Sequence, residues 1–161
     1  MIGLGPCQSP SAEELVNSVL DDSLYTKYLN FGNANSDTNM TLKGVGTGFA
    51  MMPASGSLSV LRAFQFGTGN DFPERDPITV SIEGTTTMDQ TELELGSSWT
   101  LIYIGWTGIG RGTNAPRSAY ANLVHINNSV PYRIYRFIVA SHRASANCVQ
   151  YSEIKLLGYF L

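Results

Sequence analysis

The sequence predicts an all-β protein, an antiparallel sandwich or jelly roll with one short helix near its N-terminus. Three observations support this fold class. Short apolar and alternating runs recur along the chain, turn-forming residues separate them, and only one stretch has a helical pattern. At 161 residues, the chain has the length of one domain and is long enough for a substantial core. We therefore expect a single domain over residues 1–161.

The one helical pattern lies in the stretch SAEELVNSVLDD. Ser11 and Glu14 have the spacing of a capping box, in which two side chains satisfy backbone N–H groups at a helix start. Leu15, Val19 and Leu20 would form a short apolar stripe. We predict one short N-terminal helix here, after which the pattern becomes strand-like.

Six later runs have the composition of β-strands. In chain order they are GFAMMP, SVLRAFQFGT, PITVSIEG, WTLIYIG, YRIYRFIVAS and CVQYSEIKLLGYFL. The second run places Val60, Phe64 and Phe66 on one face, with Arg62 as the exception. PITVSIEG and WTLIYIG alternate between apolar and polar positions. Their predicted inward-facing residues are Ile78, Val80, Ile82, Trp99, Leu101 and Tyr103.

Charge is sparse, which excludes several functions. Charged residues make up 14% of the chain, the net charge is −3, and no run is basic. Nucleic-acid binding is not expected, because a phosphate footprint needs clustered Lys and Arg. No apolar run approaches the roughly 20 residues that cross a bilayer, so we expect no membrane span. The N-terminal MIGLGPCQSP lacks a basic start, so it is not expected to be a signal peptide.

Two cysteines and two glycosylation triplets bear on the environment of the protein. Cys7 and Cys148 lie near opposite ends of the chain. A disulfide between them would close nearly the whole chain if the terminal strands lie side by side, and two buried thiols are the open alternative. Asn39 and Asn127 each begin an Asn-x-Ser/Thr triplet, the acceptor for N-linked glycans. These features favour an extracellular protein, secreted or surface-attached.

The stretch NDFPERDP concentrates charge immediately before a predicted strand. Arg75 is flanked by Glu74 and Asp76, and Asp71 lies four residues before Arg75. The planar guanidinium suits carboxylates, so we interpret the cluster as a clasp in which Arg75 ties Asp71 or Asp76 and the loop backbone. Direct sugar contact by Asp71, Phe72 or Arg75 is the alternative. No His lies near in sequence, so a catalytic carboxylate pair lacks support.

The loop GWTGIGRGTNAPRSAY is the richest candidate for a carbohydrate site. Sugars are bound by an aromatic face and by planar polar groups that bond the hydroxyls. Trp106 lies among glycines, which is unusual for a core residue, and packing under its own loop is the alternative. The loop ASHRASAN adds polar groups, for which solvated or structural roles are the alternative. The candidate ligand residues are Phe72, Trp106, Arg111, Asn114, Arg117, His142 and Arg143.

Five stretches occur in an order that resembles the discoidin family, also called the coagulation factor V/VIII C-type family, of the galactose-binding-domain-like superfamily. They are DDSLYTKYLNFG, GFAMMPASG, FQFGTGNDFPERDPITVSIEG, SSWTLIYIG and VQYSEIKLLG. The match covers roughly residues 12–158, nearly the whole chain. The resemblance implies an eight-stranded jelly roll with ligand loops at one end. It also implies a non-catalytic module that binds glycans, lipid head groups or proteins.

One departure from the family pattern affects the predicted ligand. The stretch NANSDTNMTLKGVGT is longer than the usual link, and an insert in a ligand-end loop would reshape the site.

We expect a non-catalytic module that binds carbohydrate, such as a glycan or a glycoprotein. The alternative is a structural or adhesive subunit that contacts protein partners or copies of itself. No nucleophile elbow, phosphate-binding loop or His/Cys metal spacing indicates an enzyme.

The stretch LDDSLYTKY predicts a calcium site. Calcium takes several oxygen ligands, and this stretch offers Asp21, Asp22, Ser23 and Thr26. In the discoidin family a comparable loop, Asp-Gly-Asp followed by Thr, binds a structural calcium with a Glu on the last strand, here Glu153. Asp22 stands where Gly is usual and Ser23 where a second acid is usual, which would weaken binding. An acidic turn that caps local N–H groups is the alternative.

Overall fold

The computed structural model describes residues 2–4, 14–32, 43–112 and 115–161. The helices are short: the 3₁₀-helices Val16–Val19, Pro73–Arg75 and Gly96–Ser98, and the α-helix α1 (Gln90–Leu93). The strands are β1 (Ile2–Leu4), β2 (Tyr28–Asn30), β3 (Gly48–Met51), β4 (Ser59–Gly67), β5 (Pro77–Thr85), β6 (Thr100–Trp106), β7 (Val124–His125), β8 (Ile134–His142), β9 (Val149–Tyr151) and β10 (Glu153–Phe160).

Most strands belong to two antiparallel sheets. The five-stranded sheet has the order β1-β3-β8-β5-β6, the three-stranded sheet has the order β10-β4-β7, and β2 pairs with β9. Neighbours distant in sequence, such as β3 and β8, show that the chain crosses between sheets. The predicted all-β, jelly-roll-type sandwich is therefore confirmed.

Aromatic side chains from both sheets fill the space between them. The ring centre of Phe64 on β4 lies 6.4 Å from that of Phe137 on β8 and 5.4 Å from that of Tyr103 on β6. Phe66 and Tyr151 meet edge to face at 5.2 Å. Phe64 and Phe137 are buried, and burying one such side chain stabilises the fold by about 2–3 kcal/mol. These contacts hold the two sheets face to face.

The strand β5 follows the predicted alternation, but β6 does not. The pairing of β5 with β6 joins Ile82 to Tyr103 and Glu83 to Leu101, so Ile102 is an extra residue in β6. Ile102 packs against the core, whereas Leu101 is exposed. The inward placement predicted for Leu101 is wrong, because a β-bulge breaks the two-residue period.

A second bulge lies in β4 at Arg62. The pairing with β10 passes from Ala63 directly to Leu61 at this point. Leu61 rather than Val60 therefore joins Phe64 in the main hydrophobic cluster, although Val60 is also buried. The predicted exception at Arg62 is thus the residue that the strand pairing skips.

The last predicted run forms two strands rather than one. CVQYSEIKLLGYFL breaks at Ser152, so that β9 pairs with β2 while β10 pairs with β4. The hydroxyl of Ser152 donates to the carbonyl of Thr68 at 2.9 Å, which fixes the break. One apolar run therefore serves both the β2–β9 pair and the three-stranded sheet.

The predicted N-terminal helix is a single 3₁₀ turn. It spans Val16–Val19, where Val19 is fully buried. Ser11 lies outside the described residues, so the capping box remains a prediction. No helix within the described ranges is long and apolar enough to cross a membrane.

Candidate functional site

Three loops meet at one end of the sandwich, which we call the loop end. Backbone hydrogen bonds join them: the N–H of Arg143 donates to Asp76 at 2.9 Å, and the N–H of Ser118 donates to Gly69 at 3.1 Å. Each of these bonds joins two loops that are distant in sequence, so the three loops lie side by side. The loops are residues 68–76 between β4 and β5, 107–112 and 115–123 between β6 and β7, and 143–148 between β8 and β9.

A buried carboxylate holds the loop end together. Asp76 is fully buried, and both of its oxygens accept from Arg117, at 2.6 Å to Oδ2 and 2.8 Å to Oδ1. Arg143 donates to the same Oδ2 at 2.9 Å. A bidentate guanidinium pair with a second arginine is a strong, geometrically specific arrangement. We call Asp76, Arg117 and Arg143 the aspartate clamp.

Arg143 also bonds the backbone of the other two loops. Its Nε donates to the carbonyl of Pro73 at 2.8 Å, and Nη1 donates to the carbonyls of Gly110 and Gly112. Its side chain is only 5% exposed. Arg117 also donates to the carbonyl of Asp71, at 2.9 Å. Arg117 and Arg143, two of the three arginines predicted as ligand residues, thus point inward, and their sugar contact remains a prediction.

Asp71 is the second bonded carboxylate of the loop end. Lys27 Nζ donates to its Oδ1 at 2.7 Å, and the buried Gln150 Nε2 donates to the same atom at 3.0 Å. Burial raises the pKa of Asp71, but the hydrogen bonds from Lys27 and Gln150 outweigh this and hold the pKa below its usual value. These contacts tie the loop of Asp71 to the chain before β2 and to β9.

Arg75 does not occupy the position in the clasp that we predicted for it. Arg117 and Arg143 bind Asp76, whereas the guanidinium of Arg75 stacks over the ring of Phe72 at 3.9 Å. Phe72 has a left-handed backbone with φ of 42° and is 48% exposed. The clasp exists, but distant arginines provide it. Arg75 instead supports an exposed aromatic ring.

Trp106 is the last residue of β6 and is 36% exposed. Its indole Nε1 donates to the carbonyl of Ile109 at 2.6 Å, and its own carbonyl accepts from the hydroxyl of Tyr103 at 2.8 Å. The ring is therefore held against its own loop with part of its surface open to solvent. Arg111, two residues beyond Ile109, is exposed. Asn114, the next predicted ligand residue, lies outside the described residues.

His142 closes the list of predicted ligand residues. Its Nδ1 lies 2.5 Å from the carbonyl oxygen of Ala144, while Nε2 is buried without a hydrogen-bond partner. An unpartnered buried ring nitrogen is a group that a water or a ligand could satisfy. Ligand contact by His142 remains a prediction.

A groove that the sequence did not predict lies on the flank of the loop end. Its volume is about 330 Å³. Tyr25 is 90% exposed, and Lys155 lies 4.1 Å from the centre of the Tyr120 ring. The open tyrosine ring combined with nearby charge is an arrangement suited to sugars. The groove is lined by Asp22, Ser23, Leu24, Tyr25, Ser118, Tyr120 and Lys155. Asp22 and Ser23 belong to the predicted calcium turn, and Ser118 and Tyr120 to the predicted sugar loop GWTGIGRGTNAPRSAY, but their meeting with Tyr25 and Lys155 was not predicted.

The predicted calcium residues form a hydrogen-bonded turn. Asp21 accepts from the backbone N–H of Ser23 at 2.9 Å and from the hydroxyl of Thr26 at 2.7 Å. Asp22 has a φ of 59°, in the left-handed region that favours glycine, the residue usual at this position in the resembling family. These bonds also fit the alternative interpretation, in which the acidic turn caps local N–H groups and binds no calcium.

Glu153, the fifth predicted calcium residue, is buried beside this turn. Burial raises its pKa to about 7, backbone N–H groups oppose the rise, and the nearby Asp21 carboxylate adds to it. Its Oε1 accepts from the N–H of Ile154, and Oε2 is buried without a partner. Among the described residues, no group of three or more His, Cys, Asp or Glu side chains could hold a metal. A calcium ion here would therefore need hydroxyl and carbonyl oxygens as well.

The predicted covalent sites are only partly described. Cys148 is buried, but Cys7 lies outside the described residues, so their disulfide remains a prediction. Asn127 is exposed on the segment after β7, and Asn39 lies outside the described residues. Glycosylation at both positions likewise remains a prediction.

Comparison with solved structures identifies the architecture. The CBM62 module of Xyl5A from Clostridium thermocellum is 14% identical and has a TM-score of 0.61, over 99% of this chain and 93% of that one. An F5/8 type C domain from Bacteroides fragilis is 12% identical with a TM-score of 0.65, over 96% and 91%. This chain has the discoidin-type, galactose-binding-like fold. The family resemblance predicted from the sequence motifs is confirmed at the level of the fold.

A third structure with the discoidin-type fold is bound to a sugar. The module CpGH89CBM32-5 from Clostridium perfringens, in complex with GalNAc-β-1,3-galactose, is 8% identical with a TM-score of 0.63, over 96% of this chain and 93% of that one. No family model matches this sequence, and no curated protein is detectably similar to it. The relationship is therefore visible in the tertiary structure rather than in the identity of aligned residues.

Proposed function

We propose that this protein is a non-catalytic carbohydrate-binding module that holds its ligand at the loop end. The observation that carries the proposal is a set of exposed aromatic and cationic side chains on segments of the loop end, two of which a buried frame holds. Phe72, Trp106 and Arg111 are exposed, while the aspartate clamp holds the loops that carry Phe72 and Arg111. Structural neighbours that are named as CBM modules, two of them in complex with a sugar, support carbohydrate as the ligand class.

Each exposed side chain has a distinct role in this proposal. The rings of Phe72 and Trp106 present apolar faces on which the C–H groups of a sugar stack. Arg111 supplies planar donors for sugar hydroxyls. Because the clamp fixes the loop backbone before the ligand arrives, little entropy is lost in ordering these side chains on binding. His142, with its unpartnered Nε2, is the further polar candidate.

The two tryptophans make a matched experiment. Trp106 ends β6, whereas Trp99 precedes β6 at the opposite end of the sandwich, and each indole donates to a nearby carbonyl. A glycan array of the wild type should give saturable binding to a coherent set of sugars. Trp106→Ala should abolish that binding with a loss of Tm no larger than that of Trp99→Ala, and Trp99→Ala should retain the binding. A blank array from folded wild-type protein would contradict the proposal.

The flanking groove provides the alternative position for the same function. Tyr25→Ala tests it, because this ring is almost fully exposed and its removal disturbs little packing. If Tyr25→Ala abolishes sugar binding and Trp106→Ala does not, the ligand binds in the groove rather than at Trp106. Loss of binding in Trp106→Ala alone supports the proposed surface.

We also propose a structural calcium ion between the Asp21 turn and Glu153. The buried, unpartnered Oε2 of Glu153 supports it, because an adjacent cation would satisfy that oxygen and offset its repulsion with Asp21. Asp21, Asp22, Ser23, Thr26 and Glu153 are the residues that would hold it. An ion bound only by the folded protein raises Tm, so a chelator should lower Tm and added calcium should restore it. An unchanged Tm on chelation would exclude the site.

An extracellular location fits the proposed function. Glycan ligands are displayed on cell surfaces and matrices, and the predicted glycosylation triplet at Asn127 is exposed. Expression through a secretory pathway, followed by digestion with an N-glycosidase, measures whether Asn127 is used. We expect a shift in mass that Asn127→Gln removes.

A further inference from the structure

The free side of β10 carries an apolar surface that the loop end does not explain. Among the described strands, β10 pairs with β4 on one side and with no strand on the other. Its final residues are exposed: Leu157 by 44%, Tyr159 by 50%, Phe160 by 59%, and the following Leu161 by 68%. Exposed apolar side chains grouped in this way mark interaction sites on monomers. We call this surface the β10 edge.

The β10 edge lacks the features that keep natural edge strands apart. Edge strands are usually blunted by charge, by proline or by a bulge. The segment LLGYFL, residues 156–161, contains no charged residue and no proline. The bulge opposite it is formed by β4 at Arg62 and leaves β10 regular. The backbone groups on this side are therefore suited to pair with another strand.

A cleft opens beside the same edge, between the two sheets. Its volume is about 220 Å³. Met51 and Tyr135 line it from the five-stranded sheet, while Leu156 and Phe160 line it from β10. Strand addition is most specific where an edge that offers backbone hydrogen bonds lies next to a pocket for side chains. The cleft and the edge together provide both.

We propose that the β10 edge binds the β10 edge of a second copy as an antiparallel pair with two-fold symmetry. Two-fold pairing uses the same surface on both copies, so an uncharged apolar strand is its own complement. A register centred on Gly158 places Leu157 of one copy opposite Tyr159 of the other, and Leu156 opposite Phe160. Such aliphatic–aromatic cross-strand pairs stabilise antiparallel sheets.

The charges near β10 are compatible with this register. Lys155 is the one charged residue of β10 that is exposed, and the register places it opposite Leu161 rather than opposite the second lysine. Pairing along one strand edge gives an interface smaller than the standard size of stable complexes. The pair is therefore expected to dissociate in the micromolar range rather than to be permanent.

The proposed pair has a consequence for ligand binding. β10 begins at Glu153, beside the loop end, and finishes at Phe160, paired with the first residue of β4. An antiparallel pair therefore points the two loop ends in opposite directions. The pair would bridge two ligand surfaces, and its effective affinity for a multivalent ligand would exceed that of one copy.

Sedimentation velocity across the micromolar range tests the pairing. The average mass should rise with concentration from 17.5 kDa toward twice that value. Leu157→Lys and Tyr159→Lys should each remain monomeric throughout, because a charge on the strand opposes edge pairing. Ile104→Lys is the matched control, because Ile104 is 65% exposed on β6, the edge of the other sheet, and this variant should still dimerise.

Three results would overturn the proposal. They are a wild type that stays monomeric at high concentration, a dimer that survives both β10 variants, and a dimer lost in Ile104→Lys but kept in Leu157→Lys. Hydrogen exchange of wild-type protein is the second measurement, which needs no variant to fold. Amides of residues 156–161 should exchange more slowly at high concentration than at low concentration, whereas equal rates would contradict the pairing.

Discussion

Replacing Asp76 by Asn tests how the loop end is held. Asp76→Asn keeps the size and shape of the side chain and removes its charge. In the native structure this carboxylate is fully buried between Arg117 and Arg143, whose side chains are 23% and 5% exposed. The substitution leaves two largely buried guanidinium groups without this counter-charge, so its effect measures the aspartate clamp directly.

The expected loss in the free energy of unfolding follows from the burial of the ion pair. Removing one partner of a buried ion pair destabilises a protein by about 3–5 kcal/mol. The amide introduced by Asp76→Asn would still accept one hydrogen bond, and Arg143 keeps its bonds to Pro73 and the glycine carbonyls, so we expect about 3 kcal/mol. The control is Glu83→Gln, which breaks the pair with Arg136. Both side chains of that pair keep some contact with solvent, at 17% and 18% exposed, whereas Asp76 has none, so we expect a smaller loss of about 1–2 kcal/mol.

Urea unfolding followed by tryptophan fluorescence is the assay. The free energy of unfolding is taken from linear extrapolation, and an unchanged slope with denaturant shows that only stability has changed. Glycan affinity is measured on the same samples, because the clamp holds the loop backbone that carries Phe72 and Arg111. A loss of stability in Asp76→Asn no larger than that in Glu83→Gln would refute the reasoning.

The remaining predictions concern the calcium residues, the loop glycines and the core. Glu153 has a folded pKa of about 7 against an ordinary 4.5, so the folded state binds more protons between these values. In chelator, stability should therefore fall by about 2–3 kcal/mol as pH rises from 4.5 to 7 and then level off, and Glu153→Gln should flatten that curve. A fall that persists in Glu153→Gln would assign it to another group. Gly108→Ala should destabilise more than Gly46→Ala in urea: both have positive φ, but a Cβ at Gly108 would collide with the carbonyl of Asn122, and none lies near Gly46. Phe64→Ala should lower the free energy of unfolding by about 3–5 kcal/mol, and a loss below about 1 kcal/mol would contradict the central position of this ring.

The positions of the strands could be predicted from the sequence. Each of the six runs contains at least one strand, because alternation and β-branched or aromatic composition are local properties that a single segment carries. Which residues of a strand face the core was harder to predict. Leu101 faces solvent because β6 contains a bulge against β5, and a bulge depends on the neighbouring strand rather than on its own residues.

The site was only partly predictable. The exposed aromatics Phe72 and Trp106 were found because a large ring in a polar loop is conspicuous in a sequence. The open Tyr25 was missed as a ligand residue, since its neighbours Tyr120 and Lys155 join it only in the folded chain. The β10 edge was equally hidden, because LLGYFL reads as an ordinary core strand until the sheet order places it at the margin.

The sequence by itself determined the all-β class, most of the strand positions and the loops that carry the candidate site. It also indicated that a carboxylate next to β5 would be clasped by arginine. Only the tertiary structure decided which arginine. Arg75 is adjacent to Asp76, yet the partners are Arg117 and Arg143, 41 and 67 residues further along the chain. The physical reason is that a fully buried carboxylate needs charged partners within the protein. Only the folding of the chain brings the guanidinium groups of Arg117 and Arg143 to its oxygens.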